Sequence, residues 1–220
     1  MSILEQIAPE TAATTIIDWG LLPFAEAHRR QLAALQDRVD GKIGDTVFLV
    51  EHPHVYTYGR GANLSELLPV TPVASKTPVE LVAVERGGGV TYHGPGQLVA
   101  YPIIDVRQRT GDLHAFLRWL EDVIIDAIAP WGLAGEHHPL HTGVWVQGRK
   151  IASIGIAVRQ WISYHGLALN VSTDLRYFGA IHPCGLSPEV MTSMEQLTGK
   201  SVGLSEVRKG LIAALGSGIK

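Results

Sequence analysis

Apolar positions along this chain follow two different periods, and the switches between them mark out its elements. Over residues 23–39 they recur every three to four positions. Pro23 at the start and Gly41 beyond the end complete the pattern of an amphipathic helix. The period then changes. Residues 46–50 (TVFLV) form a short continuous β-rich run, which reads as a buried strand. Residues 79–85 and 97–104 also read as strands, separated by RGGGVTYHGPG, a glycine-rich turn. Helical spacing returns over residues 112–129, with Leu113, Phe116, Leu117, Leu120, Ile124 and Ile128 on one stripe and Pro130 as the stop. Two β-rich runs flank Gln147-Gly148 within residues 142–158, which predicts a hairpin. Residues 163–171 add a strand, and two short helices follow Glu189, of which 204–215 is the clearer. Strands interleaved with helices, one hairpin among them, predict an α/β chain built on a mixed sheet.

Composition narrows the class. With 220 residues the chain is expected to form one domain spanning 1–220, large enough to bury a core. Hydrophobic residues at 46% and charged residues at 18% exclude intrinsic disorder. A net charge of −3 and a pI near 6.3 argue against a nucleic-acid binder, whose domains are strongly basic. One cysteine leaves no internal disulfide or cysteine-based zinc cluster and fits a reducing, cytoplasmic setting. Glu5 and Glu10 interrupt the first residues, so no signal peptide is expected there. The longest uncharged stretch, 87–104, contains five glycines and two prolines and does not read as a membrane span. Residues 68–78, with three prolines, are the one candidate linker.

Several motif-like stretches fail on inspection. GPGQLV at 94–99 lacks the third glycine of a dinucleotide fingerprint. GVWVQGRK at 143–150 imitates a phosphate loop, but Arg149 stands in the lysine slot and Lys150 in the hydroxyl slot. His137, His138 and His141 lack acidic or cysteine partners at regular spacing, so no metal site is expected. Cys184 is different. It stands between Pro183 and Gly185, in a turn rather than on an apolar face, which makes it a candidate reactive thiol. A nucleophilic thiol needs a nearby cation or base, and Lys150, His93, His165 and His182 are all candidates on sequence alone. Segments 86–104, 137–173 and 175–188 hold no Asp or Glu but carry Arg86, Arg149, Lys150, Arg159 and Arg176. That segregation predicts a basic face, with Arg149 and Arg159 on a rim that would attract acidic partners.

These stretches together resemble one family. RGGGVTYHGPGQLVAYPIID (86–105), GVWVQGRKIASIGIAV (143–158), YHGLALNV (164–171) and IHPCGL (181–186) are similar to the octanoyltransferases of lipoate biosynthesis, and HPHVYTYGRGAN (52–63) extends the likeness upstream. The resemblance implies a biotin/lipoate protein ligase-like fold, an α/β (α+β) mixed sheet flanked by helices with a smaller second sheet. It implies that Cys184 is an acyl-thioester nucleophile and Lys150 its partner. It assigns substrate contacts to Arg86, Gly87, Gly88, Gly89, Val90, Thr91, Tyr92 and His93, to Ser153, Ile154 and Gly155, and to Gly166, Leu167 and Ala168. Small residues there are read as making room for a thin acyl chain. The implied donor is octanoyl acyl carrier protein. The implied acceptors are lipoyl domains of 2-oxoacid dehydrogenases and the glycine cleavage H protein, with no nucleic acid, membrane, organic cofactor or metal. Two alternatives share part of the pattern: an ATP-dependent lipoate or biotin protein ligase, and a non-catalytic lipoyl-binding protein.

Overall fold

Strand alternation sorts the side chains of the central sheet into two cores. In β2 (Thr46–Glu51), Val47 and Leu49 face one core while Phe48 and Val50 face the other. β6 (Gln97–Ile103) does the same, with Leu98 and Ala100 on the first side and Val99, Tyr101 and Ile103 on the second. The computed structural model describes residues 14–62 and 79–216, apart from the side chain of Cys184. Glu5, Glu10 and the proline-rich segment 68–78 lie outside the described residues.

The remaining elements are β1 (Thr15–Leu21), α1 (Phe24–Val39), β3 (Val55–Tyr58), β4 (Glu80–Ala83) and β5 (Val90–His93) in the first half. α2 (Val106–Arg109), α3 (Leu113–Ile128), β7 (Glu136–His137), β8 (Val144–Val146) and β9 (Arg149–Arg159) follow. β10 (Ile162–Asn170), α4 (Met194–Thr198) and α5 (Leu204–Gly216) complete the described chain. Among the described residues, one sheet has the order β1-β2-β6-β10-β9-β8-β7 and a smaller one the order β4-β3-β5. β1 runs parallel to β2 and β3 parallel to β4, whereas all other pairs are antiparallel. α1 covers one face of the large sheet through Ala27, Ala34 and Leu35. α3 and α5 cover the other, where Phe116, Leu120, Ile124 and Ile128 are fully buried, each contributing ~1.5–3 kcal/mol by leaving water.

The mixed sheet, both long helices and the hairpin agree with the periodicity. Gln147 (φ 52°) and Gly148 (φ 73°) are both left-handed, the backbone a two-residue hairpin turn requires. Three features differ. β1 escapes the sequence pattern because it is an edge strand with a register shift between Asp18 and Leu21. The run RGGGVTYHGPG is not all turn, since Val90–His93 is a fully buried strand paired with β3. Glycines on both sides of that strand hide it. A second hairpin joins β9 to β10 through Gln160 (φ 51°) and Trp161 (φ 68°), residues that carry no turn signal. Tertiary contacts hold that turn: the Trp161 carbonyl accepts the Val106 N–H at 2.9 Å, and the Arg107 guanidinium lies 4.7 Å above the indole.

Candidate active site

A cavity of about 390 Å³ lies where the glycine-rich segment, β9 and β10 converge, within the range usual for small-molecule sites (roughly 300–1,000 Å³). Arg86, Gly87, Gly88, Thr91 and His93 line it from the glycine-rich side. Ser153, Ile154 and Gly155 of β9, with Gly166, Leu167 and Ala168 of β10, line it from the sheet. Lys150 and Thr142 are also on its wall. The pleat of β5 divides its residues: Thr91 and His93 face the cavity, while Val90 and Tyr92 turn into a separate core with Tyr56, Tyr177 and Phe178. Gly89 is likewise absent from the lining; its carbonyl accepts an Arg86 N–H at 2.9 Å.

Arg86 braces the loop it belongs to. Its guanidinium donates to the carbonyls of Gly87, Gly89 and Thr57 and to the Thr57 hydroxyl, at 2.8–3.0 Å. The glycines of the two strands also have a packing reason different from the one expected. Gly166 pairs directly with Gly155, and a Cβ on Gly166 would run into the Ala100 carbonyl of β6. A Cβ on Gly155 would sit 3.1 Å from Arg86 Cδ and 3.2 Å from the Gly87 carbonyl. These glycines admit neighbouring protein and also line the cavity.

A histidine cluster stands beside the cavity. His52 donates through Nδ1 to the Leu22 carbonyl and accepts through Nε2 from the Tyr101 hydroxyl, each at 2.7 Å, which assigns its neutral tautomer from the network. His93 Nδ1 donates to Gln97 Oε1 at 2.8 Å, and Gln97 Nε2 donates to Asn170 Oδ1 at 2.9 Å. Burial pushes His52 and His165 down to about 4 and His93 to about 3, so all three rings are neutral at pH 7. His28 and His165 both reach Glu85 Oε2, at 3.1 and 3.3 Å. The three groups offer ligand atoms within 4.8 Å of one another, an arrangement that could hold a metal ion. Residue spacing did not reveal it, because the partners are 57 and 80 positions from Glu85. Direct hydrogen bonds account for the same contacts.

The depressed histidines make stability pH-dependent with a definite sign. In the unfolded chain they take up protons near 6.5, whereas folded they resist until about 4 or below. Their stabilisation is therefore complete above pH 6.5 and is lost as pH falls through that value towards the folded pKa. The loss approaches about 1.4 kcal/mol per pH unit for each ring, and less where rings interact. Urea melts at pH 7, 6 and 5 should show steadily lower midpoints, in a window where carboxylates remain ionised. A flat profile would contradict neutral burial of these rings.

Lys150 is the second residue of the long strand β9 and is 4% exposed. Its Nζ donates to the Thr142 carbonyl at 2.8 Å and lies 5.9 Å from the Trp145 ring. The Lys150 backbone is bridged to Met191, and its carbonyl accepts the Thr192 N–H at 3.0 Å. Cys184 lies in the short 3-10 turn Pro183–Gly185, which packs against β5. The loop carrying it is pinned at both ends, since Ile181 and Met191 are buried in the same core as Tyr92. The bridge at Met191 thus ties the cysteine loop to Lys150. Of the histidines considered as partners, His93 and His165 line the cavity and His182 is exposed.

The basic rim does not take the form expected. Arg149 donates to the Met191 carbonyl at 2.9 Å and to Gln196 at 3.0 Å, and so helps hold that same loop. Arg159 is at the opposite end of β9 from Lys150, roughly 30 Å away at ~3.3 Å per residue. Arg176 pairs with Asp174 at 2.6 Å, an acid that falls between the segments counted. Several lining residues also escaped the sequence reading: Phe24, Thr57, Tyr101, Leu113, Leu117 and Leu140. Leu113 and Leu117 share the apolar stripe of α3, yet Leu113 is 41% exposed, and Leu140 is 82% exposed. Their signal is visible only as apolar surface beside a cavity.

This fold is shared with known ligases. A crystal structure of lipoate-protein ligase A bound with ATP superposes with a TM-score of 0.71 over 93% of this chain and 84% of that one, at 17% identity. Residues 23–216 match the family model of the lipoyl protein ligase A/B catalytic domain. The octanoyltransferase of Syntrophotalea carbinolica is 43% identical over 197 residues, covering 90% of each chain. That of Rubrobacter xylanophilus is 45% identical over 196 residues, covering 88% of each. The chain belongs to the lipoyl protein ligase A/B catalytic family and, within it, to the octanoyltransferases, which are acyltransferase enzymes.

Proposed function

We propose that the protein moves an octanoyl group from acyl carrier protein to a lysine of a lipoyl domain, through a thioester on Cys184. The observation that carries this reading is the tether between the Cys184 loop and Lys150 beside a cavity whose wall includes Ile154, Leu167 and Ala168. In the first step the Cys184 thiolate attacks the donor thioester carbonyl. The bond from the acyl carbon to the donor sulfur breaks, and the carrier thiol leaves with a proton. One thioester replaces another, so the step is nearly isoenergetic. In the second step the acceptor lysine amine attacks, an amide forms, and the bond to Cys184 sulfur breaks. That step runs downhill, and the sequence as a whole draws on no ATP.

Lys150 serves both steps. Its ammonium favours the thiolate before attack, and its amine accepts a proton from the incoming lysine afterwards. Those duties need opposite protonation states, so cysteine and lysine titrate as a unit. The acceptors are lipoyl domains of 2-oxoacid dehydrogenases and the glycine cleavage H protein, and the setting is the cytoplasm. No helix among the described residues is long and apolar enough to cross a membrane. The remaining substrate contacts are those of Arg86 to His93 that face the cavity, with Ser153, Ile154, Gly155, Gly166, Leu167 and Ala168.

The test is to incubate the protein with octanoyl acyl carrier protein, without ATP, and weigh it intact. A hydroxylamine-labile gain of one octanoyl group on Cys184 is expected, followed by its passage to an added lipoyl domain. Labelling of the domain only when ATP and free octanoate are supplied would instead identify a ligase.

A further inference from the structure

Glu121 of α3 is 1% exposed and does not line the cavity. A carboxylate so buried is costly unless its oxygens are satisfied, and these are. Oε2 accepts from Arg118 at 2.7 Å and from His137 Nδ1 at 2.8 Å, and the other edge of that imidazole reaches Asp122 at 3.0 Å. Oε1 accepts the Gly143 N–H at 2.8 Å. That N–H belongs to the same peptide group as the Thr142 carbonyl, which accepts from Lys150 Nζ at 2.8 Å. The peptide is planar and trans, so fixing its N–H end fixes the direction of its carbonyl end. A negative charge at the N–H end also polarises the group and strengthens the carbonyl as an acceptor.

The contact depends on glycine. Gly143 has φ 127°, and a Cβ there would fall 2.7 Å from Lys150 Cε and closer still to the Ala152 carbonyl. Only a residue without a side chain lets this peptide lie against the lysine.

We propose that Glu121 is a positioning residue for Lys150, acting through the Thr142–Gly143 peptide: it aims the Thr142 carbonyl at Nζ and so sets where the amino group points. The inference rests on the reading of Lys150 as the partner of Cys184. Two substitutions separate geometry from charge. Glu121→Asp keeps the charge but withdraws the carboxylate from the Gly143 N–H by one methylene. Glu121→Gln keeps the reach without the charge. The aspartate variant should lose about ten- to a hundredfold in kcat, the scale of a misplacement near 1 Å, with KM for the octanoyl donor within about twofold of wild type. Its Cys184 alkylation by iodoacetamide should need a higher pH. The glutamine variant keeps an acceptor for the Gly143 N–H but loses the charge and turns its NH2 towards Arg118 and His137, so it should lose less turnover than the aspartate variant without matching wild type.

An aspartate variant that matches wild type in kcat and alkylation profile would overturn the proposal. So would equal loss in both variants with an unmoved alkylation profile, which is the mark of a merely structural role. Hydrogen exchange gives a reading in the wild-type enzyme itself: the Gly143 amide should be protected, and exchange at the rate of an open loop would also overturn it. Lys150→Met separates the two levels of argument. If that variant remains active, the reading of Lys150 fails and takes this one with it. If it is inactive while Glu121→Asp is unaffected, the role of Glu121 alone fails.

Discussion

Replacing Cys184 by alanine is expected to abolish octanoyl transfer and adduct formation while leaving the fold in place. The backbone around it is held by Ile181 and Met191 and by the bridge to Lys150, none of which needs the thiol. Loss of a covalent nucleophile typically costs on the order of 10³-fold or more in turnover, because the alternative is direct attack by the amine on the donor thioester. Cys184→Ser should be nearly as inactive, since a hydroxyl ionises far less readily than a thiol and a single cation does not close that gap. The measurement is octanoyl transfer to a lipoyl domain alongside intact mass and a melting curve. An alanine variant that folds and transfers within tenfold of wild type would exclude a thioester on this residue.

The second large effect is expected at Lys150. Arginine keeps a positive charge there but is effectively always protonated, so it preserves part of the electrostatic help to the thiol and removes the base. The loss in transfer should be roughly 10²–10⁴-fold, the usual contribution of a positioned acid or base, while alkylation of Cys184 falls much less. Size matters as well. Lys150 is 4% exposed and lies against the Thr142–Gly143 peptide, so a planar guanidinium has to displace that contact. Lys150→Met, which removes the charge with little change in volume, should lower both readouts together. Alkylation rates followed against pH beside turnover distinguish the variants. Equal loss of both functions in the arginine variant would contradict the double role of the lysine.

Arg149→Glu, which the charge pattern suggests as a probe of electrostatic attraction, is a poor one. Arg149 donates to the Met191 carbonyl, so reversing its charge disturbs the loop carrying Cys184 as well as the surface field. A rise in KM for the carrier protein in that variant has two causes that kinetics alone do not separate.

Local information was enough for the long helices, the Gln147-Gly148 hairpin and the mixed sheet, since each depends on periodicity or turn chemistry within a dozen residues. It was also enough to bring Cys184 forward, whereas Lys150 stood among four candidate partners until the resemblance of its continuous motif to the family singled it out. The orientation of β5 was not legible. Flanking glycines made the whole segment resemble a turn, and only pairing with β3 reveals that Thr91 and His93 share a face while Val90 and Tyr92 share the other. The reason for Gly155 and Gly166 was likewise hidden, since it is the approach of the Arg86 loop and of the Ala100 carbonyl. Glu121 gave no signal at all: in a helical pattern it reads as one more charged position, and its link to Lys150 runs through a peptide group more than twenty residues away. The sequence by itself determined the main elements and brought forward the candidate site residues, whose signals are local. Only the tertiary structure decided which backbone groups meet Lys150 and Glu121, because a hydrogen bond between distant segments leaves no period in either of them.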